Sequence, residues 1–323
     1  MSFVATSQRL LPSRPAGSRR FGTALLAFVL LASGAGGSTG WKRHAPLPAP
    51  RTEVAAAVAN GRIVAVGGFV SSGASSPRTD AYSIADNRWS RLPDLPVAVD
   101  HAAAASASGK VYVLGGYGAD RQPLRTAFVL EAGRWRALAR LPEARAAAAA
   151  AVAGGILYVV GGVDDRRGLA RVALALDLRT GRWSRLPGPT PREHLAAAAG
   201  NGMVYALGGR RAGYDTNVAL LEVYRPATRG WSRLPAVPTA RSGTGAAFVS
   251  GRLVSVGGEE PAGTISSVFA YAPRERRWRR LANLPTPRHG LGVVAHSGRV
   301  YAVAGGPRPG LTTSGAVESL PVP

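Results

Sequence analysis

The chain has 323 residues, 40 Lys plus Arg against 18 Asp plus Glu, a formal charge of +22 and no cysteine. The missing thiols exclude disulfide staples, a lipid-modified cysteine and any cofactor built on a cysteine side chain, so stability must come from packing and backbone hydrogen bonds. The positive charge is nearly all arginine, with Lys42 and Lys110 the two lysines, and no nucleic-acid-binding motif accompanies it.

Residues 1–20 carry Arg9, Arg14, Arg19 and Arg20 and no acid, residues 21–32 are uncharged and mostly apolar, and Ser33, Gly34 and Ala35 are small. Basic, apolar and small segments in that order are the pattern of a secretory signal peptide. Twelve apolar residues fall short of the roughly 20 that a membrane span requires. The expectation is a signal at 1–35, with an uncleaved anchor as its alternative, and a short linker at 36–40. Export without cysteine suits a bacterial periplasm, cell wall or medium.

Six tryptophans follow: Trp41, Trp89, Trp135, Trp183, Trp231 and Trp278, spaced 48, 46, 48, 48 and 47 residues apart. Spacing that regular marks a copied supersecondary unit. Within each copy a polar stretch, often ending in Leu-Pro (Leu47-Pro48, Leu95-Pro96), precedes a run of small apolar residues such as 102–105. A turn such as Asn60-Gly61 or Ser108-Gly109 comes next. An apolar strand then ends in a glycine pair, and a variable loop leads to an alternating segment such as 80–84. A polar turn returns the chain to the next Trp. Short β-rich runs broken by Gly and Asn turns read as four antiparallel strands per copy. Alanine is the best helix former. Residues 146–151 are nevertheless expected as strand, because other copies hold Val, Phe and Thr there and a Gly turn follows too soon.

Six glycine pairs in phase with six Trp resemble the Kelch repeat over residues 41–320. That resemblance implies an all-β, six-bladed β-propeller. Trp41 precedes the first pair and no Trp follows the last, so the strand at Trp41 is expected to complete the blade begun by residues 287–320, leaving 321–323 as a tail. Small residues suit innermost strands that converge on an axis. The resemblance also implies that each Trp packs on a neighbouring Gly pair. Blade six departs, reading Ala304-Gly305-Gly306.

In such a fold the loops from strand two to three and from strand four to one open on one face. Sixteen residues before each pair stand Arg51, Arg145, Arg192, Arg241 and, with Ala304 as the first-Gly equivalent, Arg288; blade two has Val99. A ring of guanidiniums around a channel mouth would favour carboxylate or phosphate. Asp100, His101, Glu193, His194 and His289 follow the arginine position without repeating, which marks them as ligand-binding candidates. They come from blades two, four and six, which are not neighbours, so no metal and no cofactor is assigned.

Three functions are compatible with this reading. The first is an exported module binding a protein or an anionic, carboxylated glycan at the Arg-lined mouth, without catalysis. The second is a sugar epimerase or mutarotase with Glu193 and His194 as its acid and base, by similarity to N-acetylneuraminate epimerase. The third is an adhesive envelope component acting through the outer-strand arginines Arg276, Arg277, Arg279 and Arg280. Galactose oxidase, another Kelch-containing enzyme, relies on a cysteine–tyrosine crosslink that this chain lacks.

Overall fold

The alanine runs set intrinsic preference against context, and context wins. Ala103–Ala107 and Ala149–Ala153 are β-strands, because a Gly turn and an apolar partner strand follow within two residues and tertiary pairing overrides propensity. The computed structural model describes residues 40–323. The signal at 1–35 and nearly all of the 36–40 linker lie outside the described residues.

Every copy forms a four-stranded antiparallel meander. Blade one is Ala55–Ala59, Arg62–Val66, Thr79–Ser83 and Arg88–Leu92. Blade two is Ala103–Ala107, Lys110–Leu114, Ala127–Glu131 and Arg134–Ala137. Blades three and four are Ala149–Ala153, Ile156–Val160, Val172–Asp177 and Trp183–Pro187, then Ala196–Gly200, Met203–Leu207, Leu221–Arg225 and Gly230–Leu234. Blade five is Gly245–Val249, Arg252–Val256, Phe269–Ala272 and Arg277–Arg280. Innermost strands pack side by side around the ring, including Gly292–His296 against Ala55–Ala59 across the closure. The first hairpin of blade one turns on Asn60 and Gly61, both at positive φ (51° and 69°), the geometry a two-residue hairpin demands.

Ring closure follows the expected route. Gly292–His296, Arg299–Val303 and Val317–Pro321 receive Lys42–Arg43 as their outer strand, Lys42 opposite Ser319 and Arg43 opposite Glu318. The N-terminal strand therefore removes an edge that could template aggregation. Residues 321–323 are not a loose tail. Pro321 lies in the strand, Val322 is 5% exposed, and its N–H donates to the Gly298 carbonyl at 2.9 Å.

Blades are joined at the glycine pairs. The N–H of the second glycine donates to the carbonyl of the next blade's arginine or its equivalent: Gly116 to Arg145, Gly162 to Arg192, Gly258 to Arg288, and Gly305 to Arg51, all at 2.8–2.9 Å. In the five blades that keep it, the first glycine lies flush against that carbonyl. At Gly115, with φ of 60°, a Cβ would meet the Arg145 oxygen at 2.0 Å. Ala304 occupies this place in blade six at φ 58°, which confirms it as the first-Gly equivalent. Strand register sets Trp89 opposite Tyr82 and Tyr82 opposite Ile63, four residues before Gly67. The expected packing of Trp on the Gly pairs is therefore corrected. Each indole instead donates its N–H one copy back, Trp89 to the Ala45 carbonyl at 2.8 Å and Trp41 to Ala282 at 2.9 Å. Trp89, Trp231 and Trp278 also lie beside Tyr82, Tyr224 and Tyr271 of strand three.

Candidate functional site

The five repeated arginines do not line the mouth. Arg51, Arg145, Arg192, Arg241 and Arg288 are each 0% exposed, and every guanidinium is turned into its own blade. Arg192 donates to the carbonyls of Gly208, Thr190 and Ala206 and to Glu222 at 2.5 Å; Arg288 repeats the set with Ala304, Thr286, Ala302 and Glu318. Arg51 pairs with Asp80 and Arg145 with Glu143. Among the described residues Arg241 has no carboxylate partner; it donates to the Ser267 carbonyl and hydroxyl and lies 5.4 Å from the Phe269 ring centroid. A buried fork satisfied by carbonyls is framework, so the expected ring of anion-binding donors is withdrawn.

The mouth is built from the next two positions. In every blade the second residue after the arginine position is left-handed: Glu53, His101, Ala147, His194, Gly243 and Gly290 have φ between 50° and 57°. Their backbones form a belt in which the N–H of His101, Ala147, His194, Gly243 and Gly290 each donates to the carbonyl of the preceding member at 2.8–3.1 Å. The belt turns the side chains of Glu53, His101 and His194 toward one another. These three floor a mouth cavity of about 430 Å³ and roof a narrower axial channel of about 130 Å³ lined by small residues. The cavity opens on the expected loop face, with Arg210, Tyr214 and Leu311 in its wall.

The blade spacing expected to keep the histidines apart does not do so: the rings of His101 and His194 are 4.8 Å apart between centroids. Asp100 is wholly buried and accepts from Ser75 Oγ (2.5 Å) and Arg121 Nη1 (2.8 Å), with His101 Nδ1 at 2.5 Å. Arg121 in turn lies 4.9 Å from the centroids of both Phe69 and Tyr117, within cation–π reach. On the other side Arg210 bridges Glu193 (3.1 Å) and Glu259 (2.8 Å), and its Nη2 is 3.0 Å from His194 Nε2. Glu53 lies between His289 Nδ1 (3.2 Å) and His101 Nε2 (3.4 Å). His289 Nε2 faces the carbonyls of Arg308 and Gly310, both at 3.1 Å.

Burial would push the Glu53 carboxyl up, but the neighbouring imidazoles, His101 foremost, hold it far below the usual range. Burial pulls His101 and His289 down, but Glu53 and Asp100 beside His101, and Glu53 and Glu259 beside His289, together more than offset it, so both are raised. His194 is lowered, first by burial, with His101 and Arg210 adding to it. It is the neutral imidazole of the set, fit to accept the Arg210 N–H.

Sequence reasoning missed Phe69, Tyr117, Arg121 and Arg210. Three of them share a readable position, directly after the glycine pair, where Phe69, Tyr117 and Arg210 bridge back to Thr52, Asp100 and Glu193. The extra glycine of blade six also has its reason here. A Cβ on Gly306 would sit 2.5 Å from His289 Nε2.

Comparison with known proteins agrees with this geometry. The KLHDC2/KLHL20/DRC7 Kelch-repeats domain matches residues 100–306, and the Kelch motif matches 50–96. The chain is 30% identical over 95 residues to Kelch-like protein terF of Aspergillus terreus, covering 29% of this chain and 21% of that protein. It is 41% identical over 49 residues to an Arabidopsis thaliana F-box/kelch-repeat protein, covering 15% and 13% of the two chains. It is 34% identical over 82 residues to zebrafish Kelch-like ECH-associated protein 1B, covering 24% and 14%. The matched segment is thus at most about a fifth of any of these relatives. With six four-stranded blades, six phased glycine pairs and a family match across blades two to six, the chain belongs to the Kelch-repeat family.

Proposed function

We propose that this protein is an exported Kelch-type binding module that holds a protein partner in the mouth cavity and does not turn it over. One observation carries the reading. Among the described residues the two exposed large hydrophobic side chains are Tyr214 (43%) and Leu311 (50%), and both line that cavity. Exposed apolar groups around a concave, polar floor are the makeup of a recognition site. The carboxylates of the floor do not favour the anionic glycan expected of an arginine ring; they suit a partner that brings apolar side chains and a positive or neutral polar group. An epimerase of a carboxylated sugar needs a cation free to hold that carboxylate beside Glu193 and His194; among the described residues Arg210 alone hydrogen-bonds to them, and it is already paired with Glu193 and Glu259. Export rests on the N-terminal pattern of basic, apolar and small segments.

The test is a peptide-display and glycan-array screen with the wild-type protein, followed by Tyr214→Ser and Leu311→Ser. Each substitution should weaken a selected ligand about tenfold or more, roughly 1.4 kcal/mol, at an unchanged thermal midpoint. Binding that survives both but vanishes when Arg276, Arg277, Arg279 and Arg280 are neutralised would move recognition to the outer strands. Turnover of an acidic sugar would overturn the non-enzymatic reading.

A further inference from the structure

His44 stands at the seam where the N-terminal strand closes the ring, between tyrosines of two different blades. Its ring centroid lies 5.9 Å from that of Tyr82 in blade one and 5.5 Å from that of Tyr301 in blade six. From the hydrogen bonds it makes there we infer that His44 is a pH-sensitive clasp: the ring closes on the neutral imidazole and opens at the N-terminal strand when that imidazole takes a second proton. The device stands whatever the mouth cavity binds, since His44 is not part of its lining.

The protons of the seam can be placed one by one. Asn87 Oδ1 accepts from the Ala45 backbone N–H at 2.9 Å, which fixes that atom as the oxygen. The Tyr82 hydroxyl lies 2.7 Å from the same oxygen, and two oxygens so close need a proton between them, so Tyr82 gives its one proton there. His44 Nδ1, 3.0 Å from the Tyr82 hydroxyl, must then be the donor of that contact. With its proton on Nδ1, the neutral ring turns the Nε2 lone pair to Ser319 Oγ at 2.7 Å, and Ser319 donates to it. The Ser319 oxygen accepts in turn from Arg299 Nε at 3.0 Å. Each donor meets one acceptor, and the series runs unbroken from Arg299 of blade six through His44 to Asn87 of blade one. The backbone on either side is tied to the same two blades: the His44 N–H donates to the Val317 carbonyl at 2.9 Å, and the Ala45 carbonyl accepts from Trp89 at 2.8 Å.

A second proton breaks this order. It would sit on Nε2 and point at Ser319 Oγ, which would have to turn its own O–H away and face two cationic donors, His44 and Arg299. The surroundings offer no compensating charge. Lys42 on the same strand and Arg299 on blade six are cations that disfavour a charged ring, and Tyr82, Tyr301 and Asn87 are neutral. Glu318, beside Ser319, is taken by Arg288 at 2.6 Å, with Arg43 at 3.8 Å. Among the described residues the imidazole–carboxylate contacts belong to His101, His194 and His289 and none to His44. The His44 imidazole is accordingly lowered from its ordinary value, first by burial and then by Lys42 and Arg299. Because the folded value is the lower one, the contribution of the clasp is complete above the free imidazole value of about 6.5 and is lost as pH falls through the folded value.

The experiment follows amide hydrogen exchange of the full chain by mass spectrometry from about pH 7.5 to about pH 5, with rates corrected for the intrinsic pH dependence of exchange, and titrates the His44 ring by NMR. Peptides covering 41–45 and 317–321 should lose protection as pH falls, opening up to about tenfold more per pH unit below about 6.5. Blade three, which holds no histidine, should keep its protection. His44→Gln retains a donor and an acceptor but cannot take the proton, and should abolish the pH dependence at the seam; His296→Gln should leave it as in the wild type. Protection of 41–45 and 317–321 that does not change with pH in the wild-type protein would overturn the inference, as would a His44 ring that titrates at or above the free imidazole value. Opening of His44→Gln with the pH dependence of the wild type would overturn it equally.

Discussion

Blade two shows how the buried arginine can be replaced, and this turns the Arg192–Glu222 pair into a quantitative test. In blades one, four and six the strand-three residue opposite the position two before the first glycine is acidic: Asp80, Glu222 and Glu318, opposite Ala65, Ala206 and Ala302. In blade two the arginine is Val99 and the acid is Phe128, opposite Val113. In blade five the arginine is kept and the acid is Phe269, opposite Ser255. The same backbone register thus carries Arg with acid, Arg with Phe, and Val with Phe.

Arg192→Val leaves Glu222, 5% exposed, without its cation while Thr190 alone still donates to it. Stranding a buried charge in this way costs about 3–5 kcal/mol. Glu222→Phe recreates blade five; Arg192 keeps three carbonyl acceptors at 2.6–3.2 Å, so the loss should be smaller, about 2 kcal/mol. The double variant recreates blade two and should fall within about 1–2 kcal/mol of wild type, a coupling of at least about 3 kcal/mol between the sites. Urea unfolding followed by far-ultraviolet circular dichroism measures all four proteins. If Arg192→Val costs no more than Glu222→Phe, or if the two losses simply add, the pair is not held by charge compensation.

Deleting residues 1–44 removes the Trp41 bond to Ala282 and the Lys42–Arg43 strand, leaving Val317–Pro321 as a bare edge. Light scattering should show self-association and the thermal midpoint should fall; a monomer of unchanged stability would contradict the closure. Gly115→Ala should cost about 3 kcal/mol or more, since its Cβ meets a carbonyl at 2.0 Å, whereas Gly61→Ala, with similar φ and open space, should cost about 1 kcal/mol; equal losses in chemical denaturation would show that contact does not matter. Glu143 is pushed up by burial but held below the usual range by Arg185 and Arg145. Its folded value is the depressed one, so its contribution, about 1 kcal/mol, is complete above the unfolded value of about 4.3 and fades as pH falls through the folded one. The stability difference between wild type and Glu143→Gln should therefore be full at pH 7 and shrink below about pH 4.

The fold was legible because it is repetitive. Six phased Trp and six glycine pairs each report a local requirement, and a count of one unpaired strand at each end gives the closure. The side chains of the site were half legible. His101, His194 and Glu193 stood out because a framework does not need them, and they do meet at the mouth. The arginines misled for a physical reason: sequence gives register along a strand but not the rotamer, and a long side chain at the rim can reach outward to solvent or inward to carbonyls. The deciding signal was the acid on strand three: Asp80, Glu222 and Glu318 accompany Arg51, Arg192 and Arg288, whereas Arg145 and Arg241 have Leu174 and Phe269 there and carry no such signal. Arg121 was harder to single out, because Arg167 stands at the same offset after the first glycine in blade three, also at φ 60°, and the offset alone does not say which of the two meets a carboxylate.

The belt of left-handed residues ties the framework to the chemistry. A backbone held at φ near +50° costs an ordinary residue about 1 kcal/mol or more, and glycine avoids that cost. Blades five and six accept the glycine solution at Gly243 and Gly290, whereas blades one, two and four place Glu53, His101 and His194 at the same φ. Those three residues are thus less stable choices for the ring than glycine would be. Ala147 shows that the position tolerates a Cβ without any polar group, so neither closure nor the hydrogen-bonded belt calls for a carboxylate or an imidazole. Strain of this kind, concentrated on three converging polar groups beside glycines that leave them room, is the pattern of a site retained for what it binds. The six-fold scaffold repeats its backbone, and blades one, two and four depart from the glycine solution in the same direction, each with a polar side chain.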